Sequence, residues 1–239
     1  MACAFAVFVP FETASALLKR AIGVVISPAA IWGWVQTFGQ RAMARLNKEL
    51  EALAVGETPE AEPLEATLAD LPLLVGADGV MVPFRPEKDS PKGRTIWREV
   101  KVGTLRVARL KRYTNREGKE VTRLERRRLV AVLGDIDALS PRLWLEALRQ
   151  GVRTAKVVAW VSDGGRGFWR LLRERFEGLG IGILDFYHAA QNLWKAARAW
   201  RDGRTCEARD WFGKVRHLPV RTRRQVSFVM AKPMPSSKN

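Results

Sequence analysis

The sequence is poor in cysteine and has no long uncharged apolar run. Its two cysteines, Cys3 and Cys206, lie 203 positions apart and form no CxxC-type pair. This spacing excludes a disulfide framework and a zinc ribbon, and it favours a reducing compartment. No window approaches the roughly 18 apolar residues that a membrane span needs, and the apolar opening, residues 1–10, lacks the basic segment of a secretory signal. We therefore expect a cytoplasmic protein.

Acidic residues are also scarce relative to basic ones. The chain of 239 residues carries 41 Lys and Arg against 25 Asp and Glu, which leaves a net charge of +16 and a pI near 10.7. A hydrophobic content of 47% is enough for an ordered core and excludes wholesale disorder. An excess of positive charge on a folded chain favours a polyanionic partner, and nucleic acid is the first candidate.

Residues 1–54 have the pattern of a small helical region. Apolar residues recur at helical spacing from Phe11 to Ile22, Gly23 interrupts the run, and a second helix is expected after Ser27 as N-cap with Pro28 at its first position. Helix, short turn and helix is the outline of a helix-turn-helix. As a DNA reader it would place the second helix in the major groove, with these candidate contacts: Gln36, Gln40, Arg41 and Arg45. An ordinary helical hairpin is an equally open interpretation.

A change of composition at residues 55–72 predicts a domain boundary. This segment is acidic, contains internal prolines and has no basic residue, which is typical of a linker or solvated spacer. Three strand-like runs follow, with turn residues at 90–93 and 114–119 between them. We expect them to form an antiparallel meander.

The rest of the chain alternates between helical and strand patterns. A helix is expected with Ser140 as cap, Pro141 at its first position and Gly151 at its end, followed by strand, helix, strand and helix. The order β-β-β-α-β-α-β-α predicts an α/β fold with a mixed sheet flanked by helices. It is the order of the ribonuclease-H-like fold, and a generic α/β domain with an antiparallel edge is the alternative.

Two aspartates stand where apolar strands should not carry them. Asp78 interrupts the run LLVGADGVMV and Asp163 ends VVAWVSDG, and a carboxylate in such a place needs a partner or a cation. In a ribonuclease-H-like sheet the first and fourth strands are neighbours, so the two side chains would meet and could share Mg²⁺ or Mn²⁺. Because each aspartate precedes a glycine, the alternative is that both are turn residues.

Four motifs resemble the DDE transposases of bacterial insertion sequences, most closely the ISKra-type group. They are ADGVMVPFR (77–85), WREVKVG (97–103), SDGGRGFW (162–169) and ILDFYHAAQNLW (183–194). The helical stretch LLKRAIGVVISPAAIWGWVQ resembles the helix-turn-helix that precedes the catalytic domain in that family, so the likeness covers about residues 10–205. The resemblance implies a Mg²⁺-dependent recombinase that cuts the ends of its own element and joins the freed 3′-hydroxyl to target DNA. It also implies a nucleoid-associated homo-oligomer on double-stranded DNA.

The resemblance assigns the candidate catalytic residues. Asp78 matches the first catalytic aspartate and Asp163 the second, while Asp185 and His188 match the D-x-x-H signature. An N-cap followed by a histidine at a helix start is the other interpretation of that last pair. The family's final glutamate has no comfortable match, because the last acidic residues, Glu207 and Asp210, lie too close to His188. We therefore expect a truncated copy with a catalytic domain over residues 73–205 and impaired strand transfer.

Two basic segments are candidates for phosphate contact. Residues 111–128 carry eight basic and three acidic residues, and the expected basic tail, 206–239, has no acidic residue beyond Asp210 and is expected to be disordered. Within the first segment the candidate DNA-binding residues are Lys111, Arg112, Arg126, Arg127 and Arg128. A solvated charged face and a floppy tail are the alternative. At the level of function, a transposase-derived DNA-binding regulator and a nuclease that cuts without joining also stay open.

Overall fold

The computed structural model describes residues 1–84 and 95–216 and arranges them around one five-stranded sheet. The strands in these ranges are β1 (Leu73–Phe84), β2 (Ile96–Thr114), β3 (Glu120–Leu133), β4 (Val158–Ser162) and β5 (Gly180–Leu184). The helices are α1 (Ala2–Phe8), α2 (Phe11–Ile22), α3 (Pro28–Ala54), α4 (Ala66–Ala69), α5 (Ile136–Arg149), α6 (Arg166–Arg175), α7 (Phe186–Trp200) and α8 (Cys206–Val215). From β1 to α7 the order is the predicted β-β-β-α-β-α-β-α.

The sheet is mixed, and its strand order is β3-β2-β1-β4-β5. The first three strands form the predicted antiparallel meander, whereas β1 pairs with β4, and β4 with β5, in parallel. The turn expected at 114–119 is present, because Asn115 Oδ1 accepts from two backbone N–H groups and Gly118 takes a positive φ of 75°. The other expected turn, at 90–93, lies outside the described residues. The prediction of an α/β fold with a mixed sheet flanked by helices is confirmed.

The strands β2 and β3 extend beyond the rest of the sheet. β1 accompanies β2 only from Ile96 to Val107, and β2 then continues to Thr114 paired with β3 alone. The register shifts near Arg106 and Val107, where the two strands become irregular. The β2–β3 hairpin therefore continues as a two-stranded arm beyond Leu73, the first residue of β1.

One face of the sheet is covered and the other is open. Alternate residues of β1, such as Leu73 and Val75, pack with α5 and α6 in the main core. Apolar side chains on the opposite face stay exposed, and Ile181 of β5 exposes 64% of its surface. In the described part of the chain no helix is both long enough and apolar enough to cross a membrane.

The N-terminal helices form a second, smaller core. α2 ends at Gly23, which is left-handed with φ 72°, and the Ser27 hydroxyl accepts from Ala30 N at the start of α3, as the sequence predicted. The additional helix α1 packs against both, and the buried side chains are Ala2, Ala14, Leu18 and Ile31. α3 has 27 residues and is therefore about 40 Å long. Its role as a helix-turn-helix reader stays a prediction.

The helix α5 begins earlier than the sequence pattern suggested. Its N-cap is Asp135, whose carboxylate accepts from Ala138 N at 2.9 Å, so the prediction that Ser140 caps the helix is wrong. Pro141 lies inside the helix, where its missing N–H removes one intrahelical hydrogen bond. Ser140 is buried and instead accepts a hydrogen bond from Arg175 Nε. The predicted end is close, since left-handed Gly151 follows the helix.

The acidic segment 55–72 contacts the sheet and its helices from Glu62 onward. It contains α4, whose Leu68 is buried in the main core, and its Glu62 N–H donates to Arg149 O at 2.7 Å. Glu62 also pairs with Arg128 of β3 at 2.5 Å. The interpretation as a solvated spacer is therefore wrong from Glu62 onward, because Glu62 and Leu68 have partners distant in sequence. A domain boundary here stays a prediction.

The expected basic tail begins with a helix. α8 packs against α7, where the rings of Trp194 and Phe212 meet at 5.3 Å. The expectation of disorder from residue 206 is thus wrong up to Val215, while residues 217–239 lie outside the described ranges. Cys3 and Cys206 are both free thiols.

Candidate active site

Asp78 lies in the middle of β1 and not in a turn. The strand alternates, with Leu73, Val75 and Ala77 buried against the helices, so Asp78 projects toward the open face and is half-buried. Its Oδ1 accepts from the backbone N–H of Gly79 at 2.7 Å. The interpretation of Asp78 as a turn residue is therefore wrong, and the side chain is held on the sheet surface.

Asp163 follows directly after β4, the strand next to β1. The parallel register pairs Ala77 with Ser162, so the residues that follow each of them lie at neighbouring positions. Asp163 Oδ1 accepts from Gly165 N at 2.9 Å, and its backbone carbonyl accepts from the indole of Trp169 at 2.9 Å. Asp163 is thus a turn residue whose backbone and side chain are both held in place at the end of a buried strand.

Asp185 and His188 occupy the junction between β5 and α7. Asp185 is the N-cap of α7, and its Oδ1 accepts from Tyr187 N at 2.7 Å, as the N-cap interpretation expected. Its Oδ2 lies 3.3 Å from His188 Nδ1. The two atoms are within ion-pair distance, but their geometry is not that of a hydrogen bond, and Nδ1 is buried without a hydrogen-bond partner.

The four candidate catalytic residues line one cleft of about 400 Å³ on the open face of the sheet. The walls between them are apolar and include Leu74, Val80, Val102 and Val161. Asp78, Asp163 and His188 can each present one ligand atom within 4.8 Å of the others. Side chains from the middle of β1, from just after β4 and from the start of α7 therefore converge, although 110 positions separate Asp78 from His188.

This group of three side chains has the chemistry of a divalent-cation site. Two half-buried carboxylates repel each other unless a cation or a proton lies between them. Carboxylate oxygen suits Mg²⁺ and Mn²⁺, while an imidazole nitrogen shifts the preference toward Mn²⁺ and later transition metals. The three residues can thus hold a metal ion. The sequence suggested only the two aspartates as metal ligands; the histidine of D-x-x-H at a strand-to-helix junction was the available clue.

The third carboxylate of the cleft is Asp185, and neither late acidic residue takes part. Glu207 of α8 lies 3.4 Å from Arg201, and Asp210 is exposed on the same helix. Within residues 1–84 and 95–216 neither belongs to the metal-binding group. That these two residues do not replace a final glutamate stays a prediction.

The candidate DNA contacts of the N-terminal region lie on the exposed middle of α3. Gln36, Gln40, Arg41 and Arg45 are all solvent-exposed. Arg45 makes an exposed i,i+4 pair with Glu49 at 3.2 Å, which contributes little to stability. The surface around them is also apolar, since Trp32, Trp34 and Phe38 are each about half exposed or more.

The basic residues of 111–128 divide into two groups. Lys111 and Arg112 lie on the two-stranded arm, opposite Arg123 and Thr122. The second group, residues 126–128, lies where β2 is also paired with β1. There Arg127 is exposed, whereas Arg126 donates to Pro63 O at 3.1 Å and Arg128 pairs with Glu62. The charge of Arg128 is therefore already neutralised within the chain, so its role in phosphate contact is the weakest of these predictions.

An ion-pair network joins α3, the 55–72 segment, β3 and α5. Arg149 bridges Glu49 at 2.6 Å and Glu146 at 3.4 Å, and Glu146 also lies 3.8 Å from Arg128. Desolvation raises the pKa of Glu49, but the hydrogen bonds and charges of Arg149 and Arg45 outweigh it and hold that pKa below its usual range. The hydrogen bond from Arg128 likewise lowers the pKa of Glu62. The network fixes α3 to the sheet domain.

Comparison with known proteins gives one distant similarity. No protein-family model matches the sequence, and no curated protein matches it. Among solved structures, the chain is similar to the "Drosophila P element transposase strand transfer complex", with a TM-score of 0.39 and 15% sequence identity. The similarity covers 84% of this chain and 43% of that chain, so this chain spans less than half of that protein's length.

Proposed function

We propose that the chain is a metal-dependent enzyme of the transposase type that cleaves phosphodiester bonds in DNA. The observation that carries the proposal is the convergence of Asp78, Asp163 and His188 within 4.8 Å on the open face of a sheet. Such a group on a basic protein suits a polyanionic substrate, because a bound divalent cation would offset the repulsion between carboxylates and phosphate.

The sheet supports a ribonuclease-H-like assignment. Its order, β3-β2-β1-β4-β5, has three antiparallel strands followed by two parallel ones. In this arrangement the first and fourth strands are neighbours, which is what the sequence required for Asp78 and Asp163 to meet. The motif resemblance to ISKra-type transposases of insertion sequences assigns the same residues to catalysis.

The side chains of the cleft are arranged before substrate arrives. Asp78, Asp163 and Asp185 each use one carboxylate oxygen for a backbone N–H, which limits their rotation. Asp78, Asp163 and His188 would hold Mg²⁺ or Mn²⁺, and the ion would polarise the phosphate and activate water. Asp185 places its negative charge beside the imidazole, with Oδ2 3.3 Å from His188 Nδ1. Apolar side chains, such as Val102 and Val161, line the cleft between these polar groups.

Nicking of supercoiled plasmid DNA in Mg²⁺ or Mn²⁺ tests the proposal. We expect Asp78→Asn and Asp163→Asn each to reduce nicking by about two orders of magnitude or more, because these carboxylates act together. Asp70→Asn is the matched control. Asp70 comes shortly before β1 and makes only an exposed pair with Lys156, so its loss leaves nicking unchanged. Equal nicking by all the variants would overturn the proposal.

The products separate recombination from hydrolysis. A labelled DNA 3′-end supplied with a supercoiled target gives joined product if the chain transfers strands, as the resemblance implies. Cleavage without joining would identify a nuclease of the same fold. DNA binding without any cleavage, unchanged in the Asp78→Asn and Asp163→Asn variants, would identify a DNA-binding regulator derived from a transposase.

A further inference from the structure

A second concave surface begins beside the acidic cleft. It is a groove of about 500 Å³ between α7 and α8, lined by Tyr187, Ala190, Gln191, Trp194, Arg209 and Phe212. The α7 residues recur at positions i, i+3, i+4 and i+7, so they form one continuous stripe along the helix. Tyr187 at its start is the chain neighbour of His188, which faces the cleft. The cleft and the groove therefore both border the first turn of α7.

The groove has aromatic walls, and the ring of Tyr187 is unusually exposed. Tyr187 exposes 76% of its surface, although a tyrosine normally buries most of its ring. Trp194 and Phe212 make an edge-to-face contact at 5.3 Å, which holds the two helices together at the base of the groove. Gln191 and Arg209 are exposed polar residues among these rings. Such a surface offers faces for stacking together with an amide and a guanidinium for polar contacts.

The charge around the groove identifies the class of occupant. Residues 186–216 carry seven basic and three acidic side chains, so an acidic ligand is favoured over an apolar peptide or a membrane. Aromatic rings beside basic groups are the surface on which unpaired bases stack while phosphates stay near arginine. The stripe from Tyr187 to Trp194 is about 10 Å long, which matches two or three nucleotides at about 3.4 Å each.

We infer that the α7–α8 groove binds the unpaired end of a DNA strand next to the phosphate in the acidic cleft. Tyr187 stacks on the base nearest the cleft, Gln191 contacts a base edge, and Arg209 contacts a phosphate. This inference rests on the proposed cleavage function, since it places the strand that leaves the cleft.

Fluorescence of 2-aminopurine at the end of a single-stranded oligonucleotide tests the inference. Measured with the full chain in EDTA, stacking quenches the fluorescence without any metal ion. We expect wild type to quench it. Tyr187→Leu should bind the oligonucleotide about tenfold more weakly and lose most of the quenching. Arg209→Ala should weaken binding. It should also lower the slope of log affinity against log salt concentration by about one, because it removes one phosphate contact.

Trp97→Leu is the matched control, because Trp97 is an exposed aromatic of β2 that lines neither the groove nor the cleft. We expect its quenching and affinity to equal those of wild type. No quenching by wild type, or equal effects of Tyr187→Leu and Trp97→Leu, would overturn the inference. The measurement needs no metal, so the two proposals can fail separately. Quenching without plasmid nicking would contradict the proposed cleavage and support DNA binding by the groove. Nicking without quenching would contradict only DNA binding by the groove.

Discussion

Asp185 caps helix α7 with one carboxylate oxygen and presents the other to His188 Nδ1 at 3.3 Å. One side chain thereby caps the start of the helix and places a negative charge beside the imidazole that the helix carries. A carboxylate beside a metal-binding histidine strengthens the binding of a cation by the ring. The two sequence interpretations of this pair, capping and site chemistry, are therefore compatible.

Asp185→Asn separates these two roles. Asparagine is also a good N-cap, so we expect thermal unfolding to stay unchanged, whereas Mn²⁺ affinity falls about 10-fold to 100-fold because the negative charge beside the imidazole is lost. Asp185→Ala should lose the same affinity and also about 1 kcal/mol of stability. Calorimetric titration with Mn²⁺ and thermal denaturation measure the two effects. Wild-type Mn²⁺ affinity in Asp185→Asn would contradict the assignment.

The ion-pair network makes the attachment of α3 sensitive to acid. The pKa values of Glu49 and Glu62 are lowered in the folded chain, so their contribution to stability is complete above the unfolded-state value. It is lost as the pH falls from about 4.5 toward the lower folded values. We expect the free energy of unfolding, measured with urea, to fall over this pH range. Glu49→Gln should reduce the slope of this free energy against pH. Glu51→Gln, exposed on the same helix, is the control and should leave the slope as in wild type.

Close packing between β2 and α5 predicts an intolerant glycine. A Cβ on Gly103 would lie 2.6 Å from the Cδ1 atom of Leu143, whose side chain is completely buried. We therefore expect Gly103→Ala to lower the free energy of unfolding by about 1–3 kcal/mol through overpacking. Gly39→Ala, inside α3 with open space around it, should raise it by about 0.5–1 kcal/mol. Chemical denaturation compares them, and equal destabilisation would contradict the packing argument.

DNA binding should distinguish free from neutralised arginines. Arg41→Ala removes an exposed charge from α3, so we expect weaker binding. The slope of log affinity against log salt concentration should also fall by about one. Arg128→Ala removes a charge already paired with Glu62, and it should reduce stability while leaving the salt dependence unchanged. Binding to duplex DNA at several salt concentrations measures both. The opposite ranking would show that α3 is not the phosphate-contacting surface.

The parts of the fold that depend on local pattern were predictable from the sequence. Asp78 and Asp163 stood out because a charge within an apolar strand is costly, and Gly23, Ser27 and Pro28 marked helix ends by their backbone chemistry. The start of α5 was predicted wrongly because Ser140–Pro141 imitates a cap, while Asp135 provides the actual hydrogen bond.

The parts that depend on distant partners were not predictable. The sequence predicts a solvated spacer over residues 55–72, since nothing in it indicates that Glu62 meets Arg128, 66 positions away. It does not predict α8, because the apolar residues of that helix become a recognisable face only once Trp194 of α7 is placed beside Phe212. The prediction of His188 as a metal ligand likewise needs the knowledge that the start of α7 lies beside Asp78 and Asp163.

The extended β2–β3 arm reaches away from the cleft that contains Asp78. From Val102, beside Asp78, to Tyr113 near the tip, β2 runs for 11 residues, a contour length of at most about 36 Å because the strand is irregular between Arg106 and Lys111. That length is close to one helical turn of B-DNA, about 34–36 Å. A double helix bound at the cleft would consequently have up to about one turn of its backbone within reach of the arm.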